Sequence, residues 1–308
     1  MVLFKNDKRL LKANLHCHST VSDGRLSPEA LKEMYLQNGY QVVAFTDHDV
    51  LQSQQHLTDE NFLAIDGCEY GISQKVPPHK CYHLCLYATR PGMAAPPLPS
   101  VPYGDMAALN AYLKDRTDEG FLVCYNHPHW SLQTHADYAG LENIFAMEIY
   151  NHNCEVADGC NGTHEQVYNE ILRHRVTACG EKATPAPLFC VATDDNHNGE
   201  KDDSCGGFTY INSPTLHYTD VLEALARGNF YASQGPLIHE VRIEDGVLHV
   251  ACSPASRIAV YSNLRSGYFC TGKNMTKASI NLSGRDRFLR VAIRDEAGRN
   301  AWSNAYWL

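Results

Sequence analysis

Seven short apolar runs in this chain each carry His, Asp or Glu at or near one end. They are Leu10–Leu15, Gln41–Thr46, Phe62–Ile65, His83–Ala88, Phe121–Tyr125, Ile144–Tyr150 and Leu188–Thr193. Runs of this length read as strands, and those without polar alternation read as strands buried on both faces. Helix candidates lie between several of them. Ser27–Gly39 has a Ser N-cap, Pro28 in the first turn and Gly39 as its stop. Asp105–Glu119 is a second, Thr163–Arg175 with a Thr163/Gln166 capping box a third, and Thr219–Arg227 before Gly228 a fourth. Strands alternating with helices predict a parallel sheet. In a closed β/α barrel the C-terminal strand ends converge on one mouth, where the reactive groups sit. A single His at a strand end is ordinarily a solvated loop group, so the repetition is what argues for a shared site. His83 departs from the pattern, because it stands early in its run.

The first of these ends is Asn14–Gly24, NLHCHSTVSDG. Residues two apart on a strand face the same way, so His16 and His18 aim two imidazoles at one point while Cys17 turns away. Asp23 follows in the loop. By itself, His-x-His reads equally as a chelating pair or as a polar strand edge. The later strand ends, with His48, Glu69, His83, His127, Asp195 and His197, favour chelation. Imidazole and carboxylate mixtures suit Zn, Mn or Fe and need no thiolate.

The chain has 308 residues, 44% of them hydrophobic, and a formal net charge of −9. The length suffices for one large core or two unequal domains. The acidic balance argues against a nucleic-acid partner, and an anionic substrate would need local cations. The twelve cysteines form no C-x-x-C pair, and Cys85, Cys124 and Cys190 sit within apolar runs. That pattern predicts a reduced, cytoplasmic chain and not a disulfide framework. No signal peptide and no membrane span are expected. Residues Thr89–Gly104, rich in Pro, Gly and Ala, read either as a lid beside the mouth or as a plain surface loop.

From about Pro236 the texture changes to short alternating runs, with Asp245-Gly246 as a hairpin signal. A barrel over residues 1–235 and a small β-sandwich over 236–308 are therefore expected. Tyr261, Tyr268, Tyr306 and Trp307 read as core and domain interface, or alternatively as a carbohydrate-type platform.

His16-x-His18, Ser22-Asp23-Gly24, Thr46-Asp47-His48-Asp49, Gly67-x-Glu69, His127-Pro128 and Asp195-x-His197 together resemble the polymerase and histidinol phosphatase (PHP) superfamily, from about residue 11 to 235. The C-terminal part and ARGNFYASQGP resemble its carbaryl-hydrolase-like metallohydrolase branch. The resemblance implies a distorted (β/α)7 barrel binding two or three divalent metal ions. It implies a first metal on His16, His18, Glu69 and Asp195. A second would sit on Glu69, His83 and His127, and a third on Asp23, His48 and His197. Two departures stand out. The last motif reads Asp194-Asp195-Asn196-His197, where Asp194 either adds a carboxylate near the metals or points into the barrel wall. His129 and Trp130 stand where many members place an arginine that holds phosphate.

The expected activity is hydrolysis, with a phosphoesterase acting on a small phosphorylated metabolite or nucleotide through a metal-bridging hydroxide as the leading form. A carbamate, amide or ester hydrolase using the same metals is the second form. A non-catalytic metal-stabilised scaffold is the third, and the complete ligand set argues against it. Asp47 is expected to orient a ligand imidazole. His129 and His152 are candidates for leaving-group protonation or oxyanion contact, or else bystanders. Oligomeric state is not legible.

Overall fold

The structure, a computed structural model, describes residues 1–180 and 183–308. It is a mixed α/β fold with a β-rich second part. In chain order the elements are β1 (Val2–Lys5), β2 (Arg9–Asn14), α1 (Pro28–Gln37), β3 (Val42–Phe45), β4 (Leu63–Ser73), β5 (Cys81–Ala88), α2 (Met106–Glu119), β6 (Phe121–Tyr125), α3 (His135–Tyr138), β7 (Ala146–Asn151), α4 (His152–Val156), α5 (Glu165–Cys179) and β8 (Phe189–Thr193). Then follow β9 (Phe208–Ser213), α6 (Tyr218–Ala226), β10 (Phe230–Ser233), β11 (Ile238–Glu244), β12 (Val247–Ser262), β13 (Tyr268–Asn281), β14 (Phe288–Arg294), β15 (Asn300–Ser303) and β16 (Tyr306–Trp307).

Strands β2, β3 and β4 pair in parallel, as do β6, β7 and β8. Strand β5 joins the two groups and is antiparallel to both neighbours. This differs from strict β/α alternation. The seven residues from Gln74 to Lys80 between β4 and β5 are too few for the crossover that a parallel strand requires. Strand β4 is also longer than its apolar run, because Gly67–Ser73 pairs with Cys81–Tyr87 of β5. Strand β9, not foreseen, runs antiparallel beside β2. It meets β8 through Thr209, whose hydroxyl accepts from the Ala192 amide at 3.3 Å and donates to the Ala192 carbonyl at 3.1 Å. The stretch of sheet from β9 through β2 to β8 therefore curls until its first and last strands touch.

Period-two alternation puts the site on the inner wall of that curl. Ile65, Cys85, Cys124, Ala146 and Val191 share one buried apolar cluster. Two residues further along the same faces come Asn126 on β6's exit, Glu148 on β7 and Thr193 on β8. Four residues further on β4 comes Glu69. On β5, which runs the other way, the equivalent step leads back to His83. An apolar plug with small unpaired cysteines thus supports a polar layer.

Helix α1 is capped as expected, with the Ala30 amide donating to the Ser27 hydroxyl. Asp105 caps α2. Helix α5 starts after His164 with no side-chain cap, so the Thr163/Gln166 box does not form; the Gln166 amide donates to Glu170 instead. Residues 89–104 are irregular and none of them lines the mouth. Tyr70 and Tyr112 hydroxyls donate to the Pro96 and Pro97 carbonyls, tying the loop elsewhere, which disfavours the lid reading.

In the C-terminal part, Asp245 and Gly246 take φ of 50° and 76° at the β11–β12 turn, as the Asp-Gly signal requires. Strand pairing crosses residue 235 in two places: β10 pairs with β15, and β1 pairs with β11. The guanidinium of Arg290 lies 4.2 Å from the Tyr261 ring, and Trp307 packs on Phe288. These aromatics serve packing, not an open platform. No helix among the described residues is long and apolar enough to cross a membrane.

Candidate metal centre

Glu69 is the hub. Its Oε1 lies 3.3 Å from His16 Nε2, 3.2 Å from His83 Nδ1 and 3.4 Å from His127 Nε2. Its Oε2 lies 3.4 Å from His18 Nε2 and 3.1 Å from His48 Nδ1. Asp195 Oδ1 lies 3.1 Å from His16 Nε2 and 3.0 Å from His18 Nε2. Further out, Asp23 Oδ2 stands 3.7 Å from His48 Nε2 and 3.6 Å from His197 Nε2, and Asp23 Oδ1 stands 3.8 Å from His18 Nδ1. All nine residues implied as ligands are therefore brought together. His18 reaches both the inner group and the outer one, a bridging position that its place in a His-x-His pair did not reveal.

The inner group is dry and the outer one is open. His16, His18 and Glu69 are buried, whereas the Asp23 side chain is 54% exposed. His127 and Asp195 hold positive φ, 23° and 54°, at the turns that swing their side chains inward. Such backbone persists only where the surroundings enforce it.

Four neighbours were not foreseen as partners. Glu148 is fully buried and accepts from four donors: His16 Nδ1 at 2.7 Å, Thr193 Oγ1 at 2.6 Å, the His127 amide at 2.9 Å and Asn151 Nδ2 at 3.0 Å. It thereby fixes the His16 tautomer so that Nε2 faces Glu69 and Asp195. Asn151 Nδ2 also donates to Asp195, and Asn126 Nδ2 donates to Glu69 at 2.8 Å. The signal for Glu148 was in the sequence. A lone acid inside the apolar run IFAMEIY must find buried donors or pay a large desolvation cost. In Glu148→Gln an amide N–H2 would face two of these donors. We expect metal affinity to fall about 10–100-fold with the fold intact, read by competition with a chromogenic chelator.

Asp47 falls outside its expected role, and His129 and His152 stand to the side of the cavity. Asp47 touches no imidazole. It accepts from the backbone and side-chain groups of Ser19 and Ser22, and so clamps the loop that carries Asp23. His129 lies against the His164 ring, with centroids 4.9 Å apart. His152 accepts or donates at the Tyr150 hydroxyl and covers Gly206. Neither lines the mouth cavity, because the turn after each strand end carries it to the side. Asp194 resolves toward the wall, where it accepts from the Cys205, Gly206 and Gly207 amides and the Tyr35 hydroxyl. Burial raises its pKa to about 6 despite those donors.

The residues fit a cluster of divalent cations. Glu69, Glu148 and Asp195 are buried together, yet among the described residues no Lys or Arg forms an ion pair with any of them. Glu69 Oε2 and His18 Nδ1 are buried without hydrogen-bond partners. Without metal, the charge is balanced by protons. Burial by itself would lower the pKa of His16 and His83, but the carboxylates of Asp195 and Glu69 reverse this and hold both well above the ordinary imidazole value. Burial would likewise raise Glu69 and Asp195, but the surrounding imidazoles together outweigh it, His16 most, with His83 and His127 beside Glu69 and His18 and His127 beside Asp195. The carboxylates thus favour the protonated form of the His16 and His83 imidazoles, and a metal that binds the same nitrogens must displace the protons. Metal affinity should therefore rise with pH through neutrality. Calorimetry at pH 7 in buffers of different ionisation enthalpy should show proton release; equal heats in all buffers would contradict it.

Above the centre lies a cavity of about 360 Å³, lined by Glu69, Asp195 and the outer histidines below and by Trp130, Asp158 and Lys201 at the rim. A ligand-rich floor under an open mouth is suited to metal-dependent hydrolysis.

Comparison with known proteins agrees. The PHP domain model matches residues 14–174. No curated protein matches the chain. Among solved structures, a two-domain protein from Bacteroides vulgatus containing a predicted PHP-like metal-dependent phosphoesterase is 15% identical with a TM-score of 0.50, covering 100% of this chain and 97% of that one. An amidohydrolase from Chromobacterium violaceum with bound sulfate and no metal is 13% identical with a TM-score of 0.38, covering 61% of this chain and 88% of that one. The family match covers more than half of the chain and contains seven of the nine converging residues, all before β7, with Asp195 and His197 supplied from the loop after β8; His18 and Glu69 tie the two parts together, and the chain belongs to the PHP domain family.

Proposed function

We propose that this protein is a metal-dependent phosphoesterase that releases phosphate from a small phosphorylated substrate. The observation that carries the reading is the outer group on Asp23, His48 and His197 beside the Glu69-centred pair. His16, His18, Glu69 and Asp195 would hold one ion; Glu69, His83 and His127 a second; and Asp23, His48 and His197 a third. When bound, such ions lower the pKa of a shared water and neutralise charge on the non-bridging oxygens of a phosphoryl group. Three charge poles suit a tetrahedral phosphoryl group better than a planar acyl group, which presents one oxygen.

The chain's own residues then have distinct tasks. Glu69 would help to hold both inner ions. Glu148 and Asn151 orient His16 and Asp195, and Asp47 holds the Asp23 loop. Lys201, the one Lys or Arg that lines the cavity among the described residues, is placed to attract an anion into an acidic rim. Zn, Mn and Fe are the proposed metals on ligand chemistry. A reduced, cytoplasmic setting is proposed on the twelve unpaired cysteines. The division at about residue 235 is retained as a proposal, with β1 assigned by its pairing to the C-terminal sheet.

The test is metal analysis of the purified protein followed by assays on phosphate monoesters and on carbamate, amide and carboxylic esters, with metal-free protein as control. Metal-dependent phosphate release supports the reading. Turnover of the acyl substrates alone replaces it with the second hydrolase class.

The exposed outer group should empty first under mild chelation. In Asp23→Ala we expect loss of about one metal equivalent, with a higher KM and part of kcat surviving. Metal analysis and steady-state kinetics check this. Unchanged metal content and kinetics would make Asp23 a plain loop aspartate.

A further inference from the structure

We propose that Trp130 is a stacking platform, and that the substrate's leaving group carries a planar aromatic or heteroaromatic ring close to its phosphoester. The inference rests on the phosphoesterase reading and narrows its substrate class.

The cavity wall is almost entirely polar. Its lining is His, Asp, Glu, Asn, Lys and Gly except for Trp130 and Ala157. The one large apolar surface offered to a substrate is thus a flat indole. Trp130 is 40% exposed, whereas Trp302 is fully buried. Leaving so much of the largest apolar side chain in contact with water forgoes burial that would stabilise the fold.

The indole is also held still. It stands on the turn that follows His127, where the Ser131 amide donates to the His127 carbonyl at 3.1 Å and the Gln133 amide donates to the Pro128 carbonyl at 3.0 Å. The buried Ser131 hydroxyl contacts His127 Nδ1 at 3.3 Å. Trp130 meets the His127 ring at 5.0 Å with an interplanar angle of 84°, and the His83 ring at 5.5 Å and 58°. These contacts fix the indole about one ring width from the inner metal ligands. A ring stacked there would place an attached phosphoester over Glu69. A pre-set aromatic costs little ordering when a ring docks on it. The exposed acids Asp158 and Glu200 on the cavity lining disfavour a second anionic group on the leaving side. A nucleoside monophosphate and a simple aryl phosphate share the required chemistry.

The test uses the metal-loaded full chain, with phenyl phosphate and adenosine 5′-monophosphate as ring-bearing esters and glycerol phosphate as the ring-free one. Wild-type kcat/KM should favour one or both ring-bearing esters. In Trp130→Ala the ratio of ring-bearing to ring-free kcat/KM should fall about 10–100-fold, and Trp130→Phe should restore most of it. Which ring-bearing ester loses more separates the nucleoside from the aryl source. Intrinsic fluorescence gives an independent reading: benzylphosphonate should quench the exposed tryptophan and ethylphosphonate should not, with the difference gone in Trp130→Phe. Equal losses for both ester classes, or no selective quenching, would overturn the proposal. Selective quenching without turnover of any phosphate ester would keep the platform and remove the phosphoesterase reading.

Discussion

Glu69→Gln is expected to release more than one equivalent of bound metal and to lower turnover by at least roughly 10³-fold, since even a single oxyanion donor is worth about 10²–10³. The variant keeps the side-chain volume but turns one carboxylate oxygen into an N–H2 and removes the negative charge that both oxygens share. Those oxygens face five imidazoles, from His16, His18, His48, His83 and His127. A neutral amide cannot compensate the charge of two cations, and its N–H2 would turn a donor toward groups that must themselves act as ligands. Circular dichroism should show an unchanged fold, because the apolar plug beneath Glu69 does not depend on its charge. Retention of the full metal complement would reject the hub role and leave Asp195 as the remaining candidate for it.

Arg290→Ala is expected to destabilise the protein by about 3 kcal/mol, the lower end of the cost of breaking a buried ion pair. Arg290 is fully buried on β14. It donates to Glu165 at 2.6 Å and to Asn169 at 2.7 Å, both on α5, and it stacks on Tyr261. It therefore ties the C-terminal sheet to the helix that packs on β7. Its removal leaves Asn169 without its donor and opens a cavity. Glu165 is partly exposed and can turn to water, which keeps the cost from being larger. Arg290→Met should cost less, because it keeps the packing volume and removes the charge. Urea unfolding monitored by fluorescence measures both. An Arg290→Ala midpoint equal to wild type would show that the two parts are held by the sheet alone.

The loop around Asp23 illustrates a different kind of correction. Gly24 reads in the sequence as a source of backbone freedom. In the structure a Cβ there would lie 2.4 Å from the His18 carbonyl oxygen, so glycine is required for close approach. The Gly24 amide donates to Ser19, and Asp47 grips Ser19 and Ser22. The outer group is exposed, but its loop is anchored. Weak metal retention there would follow from solvent access and not from a mobile backbone.

The sequence by itself determined the strands, the polar groups at their ends and therefore the ligand types, because strand period and turn chemistry are local properties. His16 and His18 converge for the simple reason that they are two apart at the end of one strand. The tertiary structure alone decided what depends on strand direction and on distant neighbours. His83 reaches the mouth from the start of its strand because β5 runs backwards, and only the pairing of β5 between β4 and β6 shows that. Glu148 became a partner of His16, and Asp47 did not, because hydrogen-bond assignment depends on which atoms meet in space across more than a hundred residues of chain. His18 serves two groups of ligands since its ring has two nitrogens and the fold places a carboxylate near each.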